Sequence, residues 1–252
     1  MNSVVRGICI AAVLAITVCA QPPAGTKKGG GGGGMRVPVQ PYVESGFMPI
    51  FDGTSMKGWD GDPDFWKVEG GALVGITTTE HQPKQNTFLI WRGGKPANFE
   101  LRLQYKLIGH NSGIQIRSEE MPDVAKWVMK GYQADMDAQQ QYTGQWYEER
   151  ARGFLALRGQ MSYIGEGQKT AAMASLGDNL ELKKLIHNDD WNDLHIIARG
   201  NTILQVLNGH VMSMVIDDDT VGRRLEGLIG IQVHRGPAMR IEVKDVRIKM
   251  FK

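Results

Sequence analysis

Cysteine is nearly absent from this chain: its two residues, Cys9 and Cys19, both fall at the very N-terminus. Once that stretch is cleaved away, no disulfide, thiolate metal site or cysteine nucleophile is available, and stability must come from an ordinary hydrophobic core. Charge of one sign is missing too. Lys plus Arg total 29 against 27 for Asp plus Glu, with no basic stripe, which argues against a nucleic-acid partner. No apolar run reaches the roughly 20 residues of a comfortable membrane-spanning helix. G-x-S-x-G, H-E-x-x-H, a Walker loop and a G-x-G-x-x-G leading into a helix are all lacking, so esterase, zincin and nucleotide-binding readings have no support and no cofactor is called for. Without an internal repeat, solenoids and propellers are excluded as well.

What is present begins with an export signal. Arg6 precedes an apolar run from Ile8 to Val18, and Val18-Cys19-Ala20 suits cleavage after Ala20, giving a signal peptide over 1–20. The rival is a lipoprotein signal with Cys19 lipidated, but such signals favour Gly, Ala or Ser where Val18 stands. The expected location is periplasmic or secreted, with a membrane partner only if Cys19 carries lipid. Residues 21–45, with their prolines and the run Gly29 to Gly34, cannot bury apolar surface and read as a flexible tether. Residues 46–252 then suffice for one β-sandwich-sized domain or two small ones.

Most of that region reads as short strands between turns. In "FELRLQYKL", Phe99, Leu101, Leu103, Tyr105 and Leu107 alternate with Glu100, Arg102, Gln104 and Lys106, the period of a half-buried strand. Asn208-Gly209 predicts a type I′ hairpin. Many strands at short spacing favour an all-β sandwich or barrel. One short helix is predicted at "SLGDNLELKKLI", capped by Ser175 or Asp178, with Leu180, Leu182, Leu185 and Ile186 as its apolar stripe. Trp59, Trp66 and Trp191 are expected in the core.

The same alternation isolates a polar set. In "NSGIQIRSEE", Ile114 and Ile116 face one way, Gln115 and Arg117 the other; "GYQADMDA" separates Gln133, Asp135 and Asp137 from Tyr132, Ala134 and Met136; "LIGIQVHRG" leaves Gln232 and His234 opposite Ile229, Ile231 and Val233. If the three strands share a sheet, Gln115, Arg117, Gln133, Asp135, Gln232 and His234 form one polar surface. A solvated face is the plain alternative. "YTGQWYEER" adds Trp146, Tyr147, Glu148 and Glu149, aromatics beside acids that suit sugar recognition, although a core role fits Trp146 or Tyr147 equally. Asp217 to Asp219 read as a solvated turn rather than a calcium site, and no metal is expected. His81, His110, His187, His195 and His210 read as structural or solvated.

Taken in order, "GFMPIFDGTSMKGW", "WKVEGGALVG", "NSGIQIR", "GYQADM", "TGQWYEE", "WNDLHIIARGNTILQVLNG" and "GLIGIQVH" resemble the 3-keto-disaccharide hydrolase family from about Gly46 to the C-terminus. The resemblance implies a concanavalin A-like jelly roll of two antiparallel sheets, with an oligosaccharide or glycoside bound on a concave face, and an exported bacterial enzyme acting on glycosides oxidised to a ketone at C3. Many members carry Glu in place of Gln133 and Gln in place of Asp135, which leaves two residues as the base. A C3 ketone acidifies the C2 hydrogen, so one base can drive β-elimination of the C1 oxygen, followed by water addition. His234 is the expected base, with Asp135 orienting it or serving in its place. Arg117 and Gln115 are expected at the enolate oxygen, Glu148 or Tyr147 at the leaving group, and Gln133 and Gln232 on the substrate. A non-catalytic lectin-like module is the alternative; a retaining glucanase ranks last because no E-x-D-x-E or E-x-D-x-x-E string occurs.

Overall fold

A computed structural model describes residues 45–251. The signal and most of the tether expected from the sequence lie outside the described residues.

The described residues open with β1 (Met48–Pro49), β2 (Trp59–Asp60), β3 (Trp66–Glu69), β4 (Ala72–Thr77) and β5 (Thr87–Trp91). The two long strands β6 (Asn98–Gly109) and β7 (Asn111–Glu120) follow, then β8 (Met129–Asp137), β9 (Trp146–Glu149) and β10 (Gly153–Ala156). After β11 (Gln160–Ile164) and β12 (Ala171–Ser175) comes the short helix α1 (Asn179–Lys183), the one α-helix among the described residues. The remainder is β13 (Asn192–Arg199), β14 (Thr202–Leu207), β15 (His210–Asp217), β16 (Leu228–Val233) and β17 (Met239–Phe251).

These strands make two sheets of a jelly-roll sandwich, a concanavalin A-like arrangement. One has the order β12-β11-β15-β14-β13-β6-β17-β4-β3, with β1 added on β17; the other runs β10-β9-β8-β7-β16-β5-β2. The alternation in the sequence becomes the core directly. Phe99, Leu101, Leu103 and Tyr105 of β6 meet Ile114 and Ile116 of β7, Tyr132 and Ala134 of β8, and Ile229, Ile231 and Val233 of β16 in one apolar layer between the sheets. Burying each such side chain contributes roughly 1.5–3 kcal/mol, and the layer leaves only the opposite face of each sheet for other tasks. The hairpin at Asn208-Gly209 has both residues at positive φ, 49° and 81°, as a type I′ turn requires.

Two expectations change. Asp178 caps α1 by accepting from Leu180 N and Glu181 N, while Ser175 closes β12; Leu180 points outward, leaving Leu182 and Ile186 as the buried contacts. Trp191 is not in the core. Its ring lies beneath the ammonium groups of Lys106 and Lys244, 5.3 and 3.9 Å from the ring centroid, because it precedes β13 on the outer side of the larger sheet.

Candidate active site

The outer face of the seven-stranded sheet is divided. At one end Phe88, Ile90, Met129 and Leu228 form a small apolar cluster packed by Trp127. Beside it lies the polar patch built by adjacent strands β8, β7 and β16, where Gln133 pairs with Gln115 across the ladder and Asp135 pairs with Gly113. The glycine matters: a Cβ at position 113 would lie 2.5 Å from Gln133 Cγ, so only Gly113 lets that side chain lie over β7. There Gln133 Oε1 accepts from Gln115 Nε2 at 3.3 Å and from Gln232 Nε2 at 3.2 Å, and Gln133 Nε2 donates to Asp135 Oδ1 at 2.9 Å. Two donors on the oxygen fix which way the amide faces, and therefore what it offers Asp135.

Asp135 is the electrostatic centre of the patch. Burial, with smaller contributions from Glu149 and Asp137, outweighs the hydrogen from Gln133 and pushes its carboxyl up to about 8. It lines a cavity of about 350 Å³ together with Asn86, Asn111, Tyr147, Glu149 and His234, among others. His234 Nδ1 lies 2.6 Å from the carbonyl oxygen of Arg235, which can only accept, so the proton sits on Nδ1 and Nε2 carries the free lone pair. Burial and then the neighbouring His110 lower the affinity of His234 for a second proton. The His110 ring meets it edge-on, centroids 4.7 Å apart. Across the cavity, burial raises the Glu149 carboxyl above its ordinary range, and Asn86 Nδ2 donates to Glu149 Oε1 at 3.1 Å. Phe154, stacked on Tyr142 and edge-on to Tyr147, completes an aromatic wall, and 47% of its surface is exposed. Asp137 organises the loop that presents Tyr142, accepting from the backbone of Gln139, Gln141 and Tyr142. Among the described residues, no group of three or more His, Cys, Asp or Glu side chains is arranged to hold a metal ion.

A model of the family described as the 3-keto-alpha-glucoside-1,2-lyase-like domain matches residues 46–249. The chain belongs to this family. It thus carries a carbohydrate-active domain. Its fold is similar to that of two solved proteins from Parabacteroides distasonis ATCC 8503 designated as glycosyl hydrolases: one is 17% identical with a TM-score of 0.54, covering 81% of this chain and 99% of that one; the other is 19% identical with a TM-score of 0.54, covering 82% and 94%. A carbohydrate-binding module from Bacillus subtilis is 15% identical with a TM-score of 0.49, covering 76% of this chain and 95% of its own. No curated protein sequence matches.

Within this lyase-like domain the sequence-predicted residues separate into two groups. Gln133, Asp135, Tyr147 and His234 line the cavity, and Gln115 and Gln232 lie buried beneath them as the donors that hold Gln133. Arg117 is elsewhere. The ladder between β7 and β8 slips between Ile116 and Glu119, Arg117 takes φ 47°, and the bulge turns its guanidinium onto the carbonyl oxygens of Ala97, Gly200 and Arg224. A group so engaged is not at the substrate. Glu148 is also displaced: on β9 it alternates with Tyr147, so it points between the sheets and pairs with Arg152. Arg152 in turn holds Asp217 and Asp219, so two acids of the Asp217–Asp219 turn are occupied by an arginine. Sequence reasoning gave Asn86, Asn111, Tyr142 and Phe154 no role, and named Glu149 only as one of the acids suited to sugar recognition. Two of them were available by counting in twos: Asn111 from Gly113 and Gln115, and Glu149 from Tyr147. Asn86 and Tyr142 sit in loops without such a signal, and His110 reaches His234 only through the fold.

Proposed function

We propose that this domain cleaves glycosides whose glucose unit carries a ketone at C3, by elimination across C1 and C2 and then addition of water. The observation that carries this is the pairing in one cavity of a histidine whose Nε2 is held proton-free with a carboxyl that keeps its proton near neutral pH. His234 Nε2 takes the C2 proton, and the electron pair moves toward the C3 oxygen. Asp135, protonated, donates a hydrogen bond to the oxygen where that charge develops, a role open to an acid kept neutral by burial. The enolate then reforms its carbonyl, a double bond forms between C1 and C2, and the C1–O bond breaks. The proton that His234 took from C2 passes to the departing oxygen, which leaves beside Glu149, a carboxyl raised by burial. Water added across the double bond gives the free 3-keto sugar. The aromatic wall of Tyr142, Tyr147 and Phe154 supports binding of the apolar face of a sugar ring. With the N-terminal segment read as an export signal, the reaction takes place outside the cytoplasm.

The test is sugar release from a 3-keto-disaccharide and its unoxidised parent, side by side. Cleavage of the ketone alone is the expected result. Cleavage of the parent would point instead to hydrolysis by two carboxylates. Binding of either without cleavage would make the domain a lectin-like module.

A further inference from the structure

A second cleft adjoins the cavity. It has a volume of about 420 Å³ and shares Asn86 with the first. Each space falls near the lower end of the roughly 300–1,000 Å³ of ligand sites, enough for a small unit but not an extended one. Asn86 is held in place between them: its Oδ1 accepts from Arg235 N at 2.9 Å, and its Nδ2 donates to Glu149. Gln82, on the wall of the second cleft, accepts from Gly236 N at 3.2 Å, so the segment that carries His234 also braces this cleft.

The second cleft has the chemistry of a hydroxyl-rich ring. His81 lies flat on Phe65, centroids 4.7 Å apart and planes 26° apart, so one imidazole face is covered by a buried ring while His81 itself stays exposed. The turn that presents it is closed at both ends, Thr78 N donating to His81 O and His81 N to Thr78 Oγ1, each at 3.1 Å. That gives a preorganised flat surface of the kind sugar rings stack on. Lys84 and Lys126 offer donors and Asp62 and Asp64 acceptors around it, a balance suited to a neutral polar ligand rather than an anion. Thr87 Oγ1, buried without a hydrogen-bond partner among the described groups, belongs to the same lining.

We infer that this cleft is the subsite for the leaving group, a second sugar unit, with His81 as its stacking platform and Asn86 marking the position of the bond that breaks. The inference rests on the elimination reading and adds where the second sugar unit is held and which side chains recognise it: a disaccharide fills both spaces, whereas a glycoside with a small alkyl leaving group fills one only. Glu149, bonded to Asn86, then stands where the departing oxygen must be.

The experiment compares kcat/KM for a 3-keto-disaccharide with that for the corresponding methyl 3-keto-glucoside, in the full chain, in His81→Ala and in Val124→Trp. Val124 is exposed and lines only the second cleft, so the indole obstructs it without disturbing a core. The unaltered protein is expected to prefer the disaccharide. His81→Ala should reduce that preference about five- to tenfold, the worth of one aromatic contact, and Val124→Trp should reduce it further. Equal kcat/KM for both compounds in the unaltered protein, or a preference untouched by both substitutions, would overturn the subsite while leaving the elimination reading in place. Turnover of neither compound would overturn the reaction and the subsite with it.

Discussion

Asp135 and His234 carry the chemistry through opposite perturbations with one main cause. Burial disfavours the charged form of each, so the carboxyl holds its proton to about 8 and the imidazole loses its second proton below its ordinary value. The proposed roles require neutral His234 and neutral Asp135, conditions met between those two titrations. The kcat/KM profile should therefore be bell-shaped, with an acid limb below about pH 6.5 and an alkaline limb near 8. In Asp135→Asn the alkaline limb should disappear along with most of the turnover; an unchanged alkaline limb would assign it to another group. The same shift has a sign for stability. An unfolded aspartate releases its proton near about 3.9, so between that value and the folded one the native state binds more protons, and stability falls as pH rises. Asp135→Asn should consequently gain in Tm over the parent protein across a melting series from mildly acidic to mildly alkaline buffer. A difference that does not vary with pH would mean that Asp135 ionises normally.

At the scale of elements, strand β7 performs two tasks, and a bulge separates them. Up to Ile116 it keeps strict alternation and gives Asn111, Gly113 and Gln115 to the polar face; beyond that, the bulge redirects Arg117. Gly113→Ala should push the Gln133 amide off β7 and lower kcat/KM by about tenfold or more, since Asp135 loses its fixed donor. Its fold should change little, so a variant with normal activity would dismiss the Gln133 network as a positioning device. Arg117 is only 1% exposed, and its guanidinium ties three loops together through backbone carbonyls. Arg117→Ala should cost about 2–4 kcal/mol in a urea titration, through lost charged hydrogen bonds and a cavity. Gly227 underlines the constraint: at φ 153° a Cβ there would lie 2.4 Å from the carbonyl carbon of Arg117, so the bulge packs against a glycine. Alternation in the sequence placed Gln115, Gln133, Asp135, Gln232 and His234 correctly, because an unbroken strand transmits its two-residue period. It failed at Arg117 because a bulge adds one residue to that count without leaving any sign in "IQIRSEE". Glu148 and Glu149 are the opposite case, since the alternation that separates them was legible and not followed through.

Across the whole molecule, the two sheets are joined by charge as well as by the apolar layer. Arg152, just after β9 in the smaller sheet, bonds Glu148 on β9 and Asp217 at the end of β15 in the larger one, and Tyr132 Oη donates to Asp217 Oδ2 at 2.6 Å. The Glu148 and Asp217 side chains are 2% and 3% exposed, so their charges depend on Arg152. Arg152→Met should destabilise the domain by about 3–5 kcal/mol, as expected when one member of a buried ion cluster is removed. A loss under about 1 kcal/mol in the urea midpoint would show that the cluster is solvated in solution. What the sequence determined by itself is what depends on near neighbours: the strands and their inward faces, the hairpin at Asn208-Gly209, the Asp178 cap and five of the six polar residues proposed to converge. What only the tertiary structure decided is whatever needs distant segments to meet. Asn86 joins Glu149, His110 meets His234, Arg117 reaches Gly200 and Arg152 spans the sheets, contacts set by strand order and loop approach rather than by local period.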